Sequence, residues 1–162
     1  MSSDSIHFKM SVPGTSQLCI ALIFEQNRLA HLTFVKKQPV TSQHQRLSAK
    51  QYSIIQAIDN YFKHHHDLDS IPLFEKGTPF QKRVWKALRS IKSGEVITYG
   101  ELAKKLDSGA RAVANACRHN PIAIVTPCHR VVSSTGMGGY MGQTEGVFVE
   151  IKRMLLEHEH AL

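Results

Sequence analysis

The chain has 162 residues, 42% of them hydrophobic and 20% charged, with 20 Lys and Arg against 13 Asp and Glu for a formal net charge of +7. Its longest apolar run, Leu18 to Phe24, is far short of the roughly 18 to 20 residues that cross a bilayer, so a membrane-spanning protein is excluded and no membrane partner is expected. No basic and then apolar leader opens the N-terminus, and three cysteines (Cys19, Cys117 and Cys128) leave one unpaired in any disulfide scheme, so a cytoplasmic protein is expected.

The predicted elements of residues 1–77 make a small sheet with one helix. Ile6 to Val12, Gln17 to Glu25 and Arg28 to Val35 read as strands, the last two joined by a two-residue turn at Gln26-Asn27. From Ser48 to Phe62, Tyr52, Ile54, Ile55, Ile58, Tyr61 and Phe62 recur at three- and four-residue intervals and predict an amphipathic helix. His64-His65-His66 then reads as a solvated helix end, because adjacent residues on a helix do not share a face. Asp67 to Gly77, with Pro72 and Gly77, reads as the connection to a second domain spanning 78–162.

That second domain is predicted to be mainly helical. Thr78-Pro79-Phe80-Gln81 supplies an N-cap, a first-turn proline and a capping-box Gln, followed by a stripe of Phe80, Val84, Trp85 and Leu88. Thr98 and Glu101 form a second capping box for a helix through Leu106, and Ser108 is expected to cap a third from Gly109 to His119, ahead of Asn120-Pro121. Two short helices about the tight turn at Asp107 to Gly109 fit a helix-turn-helix, whose second helix faces a DNA groove. That helix carries Arg111 and Arg118 seven residues apart, with Ala110, Ala112, Ala114 and Ala116 keeping its profile low. Lys82 to Arg130 holds ten basic residues against three acidic ones, and a concentrated basic surface favours a polyanion such as nucleic acid.

The next segment carries chemistry. Ile122 to Val125 reads as a buried strand ended by Pro127, which leaves Cys128 at its rim. A cysteine attacks as thiolate, so its proton must be drawn off or its pKa lowered; His129 and Arg130 offer a base and a positive field. Side chains of neighbours on an extended chain diverge, so a bridging water or a sharp turn is needed between Cys128 and His129.

In order, FQKRVW, GEVITYGELA, RAVANACRHNP, PCHRVV and GGYMG closely resemble the C-terminal domain of the O6-alkylguanine-DNA alkyltransferase family, over Thr78 to Glu159. The resemblance implies an α/β unit followed by a mainly helical domain of winged helix-turn-helix character. It also implies irreversible, stoichiometric transfer of an alkyl group from O6-alkylguanine, with O4-alkylthymine as a second substrate, to Cys128 after minor-groove binding and base flipping, without a cofactor. It gives His129, Glu159 and Tyr99 as Cys128's catalytic companions: His129 takes the thiol proton through water, Glu159 orients His129, and Tyr99 helps rotate the nucleotide phosphate and protonates the leaving guanine. It places Arg111 as the finger filling the vacated stack and Ala112, Arg118, Ser108 and Tyr99 on DNA. Asn120, Val131, Tyr140 and Met141 are implied around the flipped base, with Met141 where a small residue is usual. No metal site is expected, since Cys19 is the only thiol before residue 78. The partner is double-stranded DNA carrying alkylated guanine, met by a monomer, nucleoid-associated in a bacterium. A non-transferring DNA-binding regulator and a turning-over Cys-His hydrolase are the alternatives.

Overall fold

The computed structural model describes residues 6–37 and 46–162 and divides the chain into two compact units, Met1–Lys76 and Gly77–Leu162. In the first, β1 (Ile6–Ser11), β2 (Leu18–Glu25) and β3 (Arg28–Lys36) form an antiparallel meander in that order. Gln26 and Asn27 both take left-handed φ, 51° and 58°, as a two-residue hairpin turn between Glu25 and Arg28 requires. Leu18, Ile20, Leu22 and Phe24 alternate to the buried face of β2. An irregularity at Ile23/Phe24 shifts the register, so that Leu29 and Ala30 of β3 are both buried.

Helix α1 (Ala49–His64) begins at Ser48, which with Gln51 completes a capping box, and ends at His65 in the left-handed region. It buries Ile54, Ile55, Ile58 and Tyr61, while Tyr52, expected on that stripe, is 56% exposed. Position 51 takes the buried place instead, its side chain bonded to the Ser48 amide. The three histidines are exposed. Beyond them the chain does more than connect: Leu73 bridges in parallel to Leu29, through bonds from the Leu29 amide to Pro72 O and the Phe74 amide to Leu29 O, both 2.9 Å.

The second unit contains α2 (Pro79–Arg89), β4 (Ile97–Thr98), α3 (Tyr99–Lys105), α4 (Ala110–Arg118), a 3₁₀ turn (Cys128–Arg130), β5 (Val131–Val132) and α5 (Val147–His158). The Thr78/Gln81 and Thr98/Glu101 capping boxes both form, each satisfying two otherwise orphaned helix-end donors. The α2 stripe buries Val84, Trp85 and Leu88, and the Trp85 indole N–H donates to Ala116 O of α4 at 2.9 Å. Gly77 lies under that ring, where a Cβ would come within 2.5 Å of it. Ala116 is therefore core rather than part of a low outer profile; Ala110 and Ala112 are the exposed alanines.

Ser108 is not the cap of α4. Gly109 is, without a side-chain bond. The Ser108 amide donates to Ala103 O and that of Asp107, at φ 48°, to Lys104 O, which is the Schellman closure of α3. Ending one helix this way uses Ser108 before the next begins.

The run Ile122 to Val125 is buried as expected but is a turn, not a strand. Ile124 has φ 69°, Val125 N bonds to Ala123 O, and Thr126 N bonds to Ile122 O. Left-handed backbone at a β-branched residue costs about 1–2 kcal/mol, here set against its full burial. β4 and β5 pair in parallel, Ile97 with Val131 and Thr98 with Val132, which draws the start of α3 to the segment after Cys128. No helix among the described residues is long and apolar enough to cross a membrane.

Candidate active site around Cys128

Cys128 stands at a double bend. Pro127, at φ −83° and ψ 67°, makes an inverse γ-turn in which the Cys128 amide donates to Thr126 O, and the 3₁₀ turn follows at once. Asn120, buried just past α4, holds this bend. Its Nδ2 donates to Thr126 O at 2.7 Å and to Cys128 Sγ at 3.2 Å, and its Oδ1 accepts from the Ile122 amide at 3.0 Å. Asn120 therefore ties the end of α4 to the cysteine. Cys128 itself is 5% exposed. Burial raises its thiol pKa, and the Asn120 bond and the charge of Lys152 pull it back down.

The turn sends His129 away from the thiol and into the core. Its Nε2 lies 2.9 Å from Glu159 Oε1, and both side chains are fully enclosed. A carboxylate only accepts, so Nε2 carries the hydrogen and Nδ1 keeps its lone pair. Among the described residues that Nδ1 is buried and has no hydrogen-bond partner. Burial lowers the histidine pKa, outweighing the bond to Glu159, which raises it, so the ring is neutral near pH 7 and able to take a proton.

Glu159 is the C-cap of α5 and 4% exposed, not a frayed terminus. Arg130 grips it through Nε to Oε2 at 2.9 Å and Nη2 to Oε1 at 2.8 Å, and bonds Ile91 O as well. Its guanidinium is thus committed to Glu159 and Ile91 O rather than turned to Cys128. The cation that lowers the Cys128 pKa is Lys152 on α5, to which the sequence gave no role: it is 0% exposed, and its Nζ donates to Val131 O at 2.7 Å and to Gly139 O at 3.0 Å.

Cys128 opens onto a cavity of about 400 Å³, within the range of small-molecule pockets. Tyr99, Arg111, Arg118, Tyr140 and Met141 line it with Gly139 and Gly142 of the GGYMG motif, joined by Asn115, Cys117, Gln143 and Thr144, which the sequence gave no place in the pocket. Asn120 and Val131 are not on its wall; one secures the bend and the other is fully buried with its carbonyl taken by Lys152. Arg111, Ala112 and Arg118 are exposed on α4, and Ser108 is half-buried in the closure of α3. The arginine shaft packs on Gly142, where φ is +81° and a Cβ would meet Arg118 Nε at 2.8 Å. Burial pushes the Tyr99 phenol well above its ordinary pKa, so it is a neutral donor. Among the described residues no group of three His, Cys, Asp or Glu could hold a metal.

Known proteins similar to this chain bear on what the site does. The family model for 6-O-methylguanine DNA methyltransferase, DNA binding domain, matches residues 79–161. The chain belongs to the 6-O-methylguanine DNA methyltransferase family. A methylated-DNA–protein-cysteine methyltransferase of Metallosphaera sedula is 37% identical over 145 residues, 88% of this chain and 87% of the relative. One from Shigella flexneri is 48% identical over 95 residues, 57% of this chain and only 53% of the relative. A Mycobacterium tuberculosis OGT solved in complex with DNA superposes with a TM-score of 0.76 at 32% identity, covering 96% of this chain and 92% of that one. Family membership makes residues 79–161 a DNA-binding domain and the chain a methyltransferase.

Proposed function

We propose that this chain repairs duplex DNA by moving the alkyl group of O6-alkylguanine, and of O4-alkylthymine, irreversibly to Cys128, one group per molecule and without a cofactor. The observation that carries the reading is the pocket in which Cys128, Tyr99 and the α4 arginines meet, backed by His129 with a free Nδ1 and its Nε2 on Glu159. The alkylated oxygen lies inside the base stack, so the nucleotide must be flipped out to meet a thiol that is itself buried. We read α3 and α4 as a helix-turn-helix, with α4 entering the minor groove, Arg111 filling the vacated stack and Ala112 and Arg118 against the backbone. A low exposed profile at Ala110 and Ala112 supports that approach. Ser108, held in the turn, reaches DNA through the same edge.

The chemistry follows from the protonation states. A water relays the Cys128 proton to His129 Nδ1, and Glu159 stabilises the imidazolium. The thiolate attacks the alkyl carbon, the S–C bond forms as the C–O6 bond breaks, and the electron pair leaves on the guanine. Tyr99 donates a proton to that leaving base and is reprotonated from the imidazolium, so the thiol proton ends on guanine. The resulting thioether is a poor leaving group, and the protein is consumed.

Intact-protein mass after mixing with a duplex containing O6-methylguanine tests this. One added methyl, mapped to Cys128, is the expected result. No added mass would leave a DNA-binding regulator, and substrate loss without a lasting adduct would leave a hydrolase.

A further inference from the structure

Lys152 is the one fully enclosed cation of the second unit whose role the proposed transfer leaves unassigned. Its ammonium is 0% exposed, has two backbone carbonyls as acceptors, and pairs with no carboxylate among the described residues. An unpaired buried charge costs several kcal/mol even after relaxation. The two carbonyl acceptors of Lys152 satisfy hydrogen bonds but leave the charge itself without an opposite charge. The groups whose ionised forms favour the charged form here are two thiols, Cys128 first and then Cys117.

The carbonyls it holds are specific in place. Val131 lies three residues after Cys128, at the start of β5, and Gly139 lies on the wall of the pocket. One ammonium therefore joins the cysteine turn to the segment that faces the substrate.

We propose that Lys152 is a positioning residue for the transfer: by bridging Val131 O and Gly139 O it fixes the pocket wall against the cysteine turn and supplies the positive charge that stabilises the Cys128 thiolate. This rests on the reading of Cys128 as the acceptor. The charged or titratable side chains around the thiol are Tyr99 from α3, Arg111, Cys117 and Arg118 from α4, Tyr140 from the loop, His129 beside it and Lys152 from α5. Tyr99 and Cys117 are held neutral by burial, His129 is neutral, and Arg130 is bound to Glu159. Lys152 is the cation whose charge acts on the thiol. Burial lowers its own pKa to about 8, so it is charged at neutral pH and releases its proton as the pH rises through that value.

The test uses the full chain as wild type, Lys152→Met and Lys152→Arg, each checked for a cooperative thermal transition. Alkylation of Cys128 by iodoacetamide is followed from pH 5 to 10 and located by peptide mapping, alongside single-turnover transfer from O6-methylguanine duplex. Lys152→Met should move the alkylation midpoint to higher pH and slow alkylation at pH 7 roughly tenfold, the lower range for losing one nearby charge. Lys152→Arg should restore the midpoint. A folded Lys152→Met with an unmoved midpoint overturns the proposal, even if wild type transfers normally. A wild type that takes no alkyl group from DNA while the midpoint still shifts would sink the functional reading and leave the thiolate effect standing. Should Lys152→Met not fold, the ammonium is titrated by NMR of lysine-labelled wild type and Cys128→Ser. The wild-type Lys152 resonance must show a step at the pH where Cys128 ionises that Cys128→Ser lacks, and identical titrations overturn the proposal.

Discussion

Replacing Glu159 by Gln exchanges one oxygen for an NH₂ at the point where three donors converge: His129 Nε2–H at 2.9 Å, Arg130 Nε at 2.9 Å and Arg130 Nη2 at 2.8 Å. An amide has a single oxygen, so one partner must face N–H with N–H. If the amide turns its NH₂ to His129, Nε2 becomes the acceptor and the ring hydrogen moves to Nδ1, which removes the lone pair that takes the thiol proton. If it turns the other way, Arg130 loses its second acceptor and the imidazolium loses its counter-charge. Either arrangement removes general-base catalysis, and transfer should slow about 10²-fold or more. Arg130 is only 12% exposed, so leaving it half-paired should cost roughly 2–3 kcal/mol, near the lower end for a broken buried pair, and lower Tm by on the order of 10–20 °C in a unit of this size.

The pH dependence separates this from a loss of fold. His129 has a pKa below its ordinary value because of burial, and Glu159 opposes that shift. Since the folded ring resists the proton that the unfolded chain accepts near pH 6.5, stability is complete above that pH and lost as the pH falls through the lower folded value. Without the carboxylate the folded value drops further, so the acid limb of transfer should move to lower pH while its plateau falls. Affinity for DNA should hold, because the basic surface excludes Glu159. Single-turnover transfer against pH, with binding measured by anisotropy, decides it. An unchanged plateau in the folded variant would falsify the assignment of Glu159 as the group that orients His129.

Three further outcomes are expected. Arg111→Ala should slow repair of duplex DNA much more than reaction with free O6-methylguanine, because filling a gap matters only when a base has left a stack, a step that costs a few kcal/mol; equal slowing on both substrates argues against a finger. Asn120→Ala removes the ties to Thr126, Cys128 and Ile122, so urea melts should show about 2–4 kcal/mol lost and thiol alkylation should shift to higher pH; a loss within error of zero would mean the bend stands without it. Met141→Gly relieves a left-handed φ of 50° on the pocket wall, worth about 1 kcal/mol, and should raise the rate for benzyl relative to methyl adducts; a ratio unchanged from wild type would show that Met141 does not limit pocket size.

What the sequence determined here was whatever depends on near neighbours. The Thr78/Gln81 and Thr98/Glu101 capping boxes, the Gln26-Asn27 turn and the alternation of β2 are set by residues within a few positions of one another, and they formed where their side chains placed them. Cys128, His129 and the exposed arginines of α4 were legible as residue types in a specific order. Local rules failed where two neighbours competed or where a pattern fits two structures. Ser108 has the chemistry of a cap, yet its amide closes the preceding helix. Tyr52 fits the helical period, yet packing buried Gln51. Four apolar residues from Ile122 serve equally for a strand or a buried turn, because burial by itself imposes no period. The division of charge was beyond sequence altogether. Arg130 lies two residues after Cys128 but turns to Glu159, while Lys152, 24 residues after Cys128 and on α5, reaches the carbonyl beyond the thiol. Only the tertiary structure decides which cation acts on a buried thiol, since that depends on distance and burial in space, and sequence neighbours on a tight turn point apart.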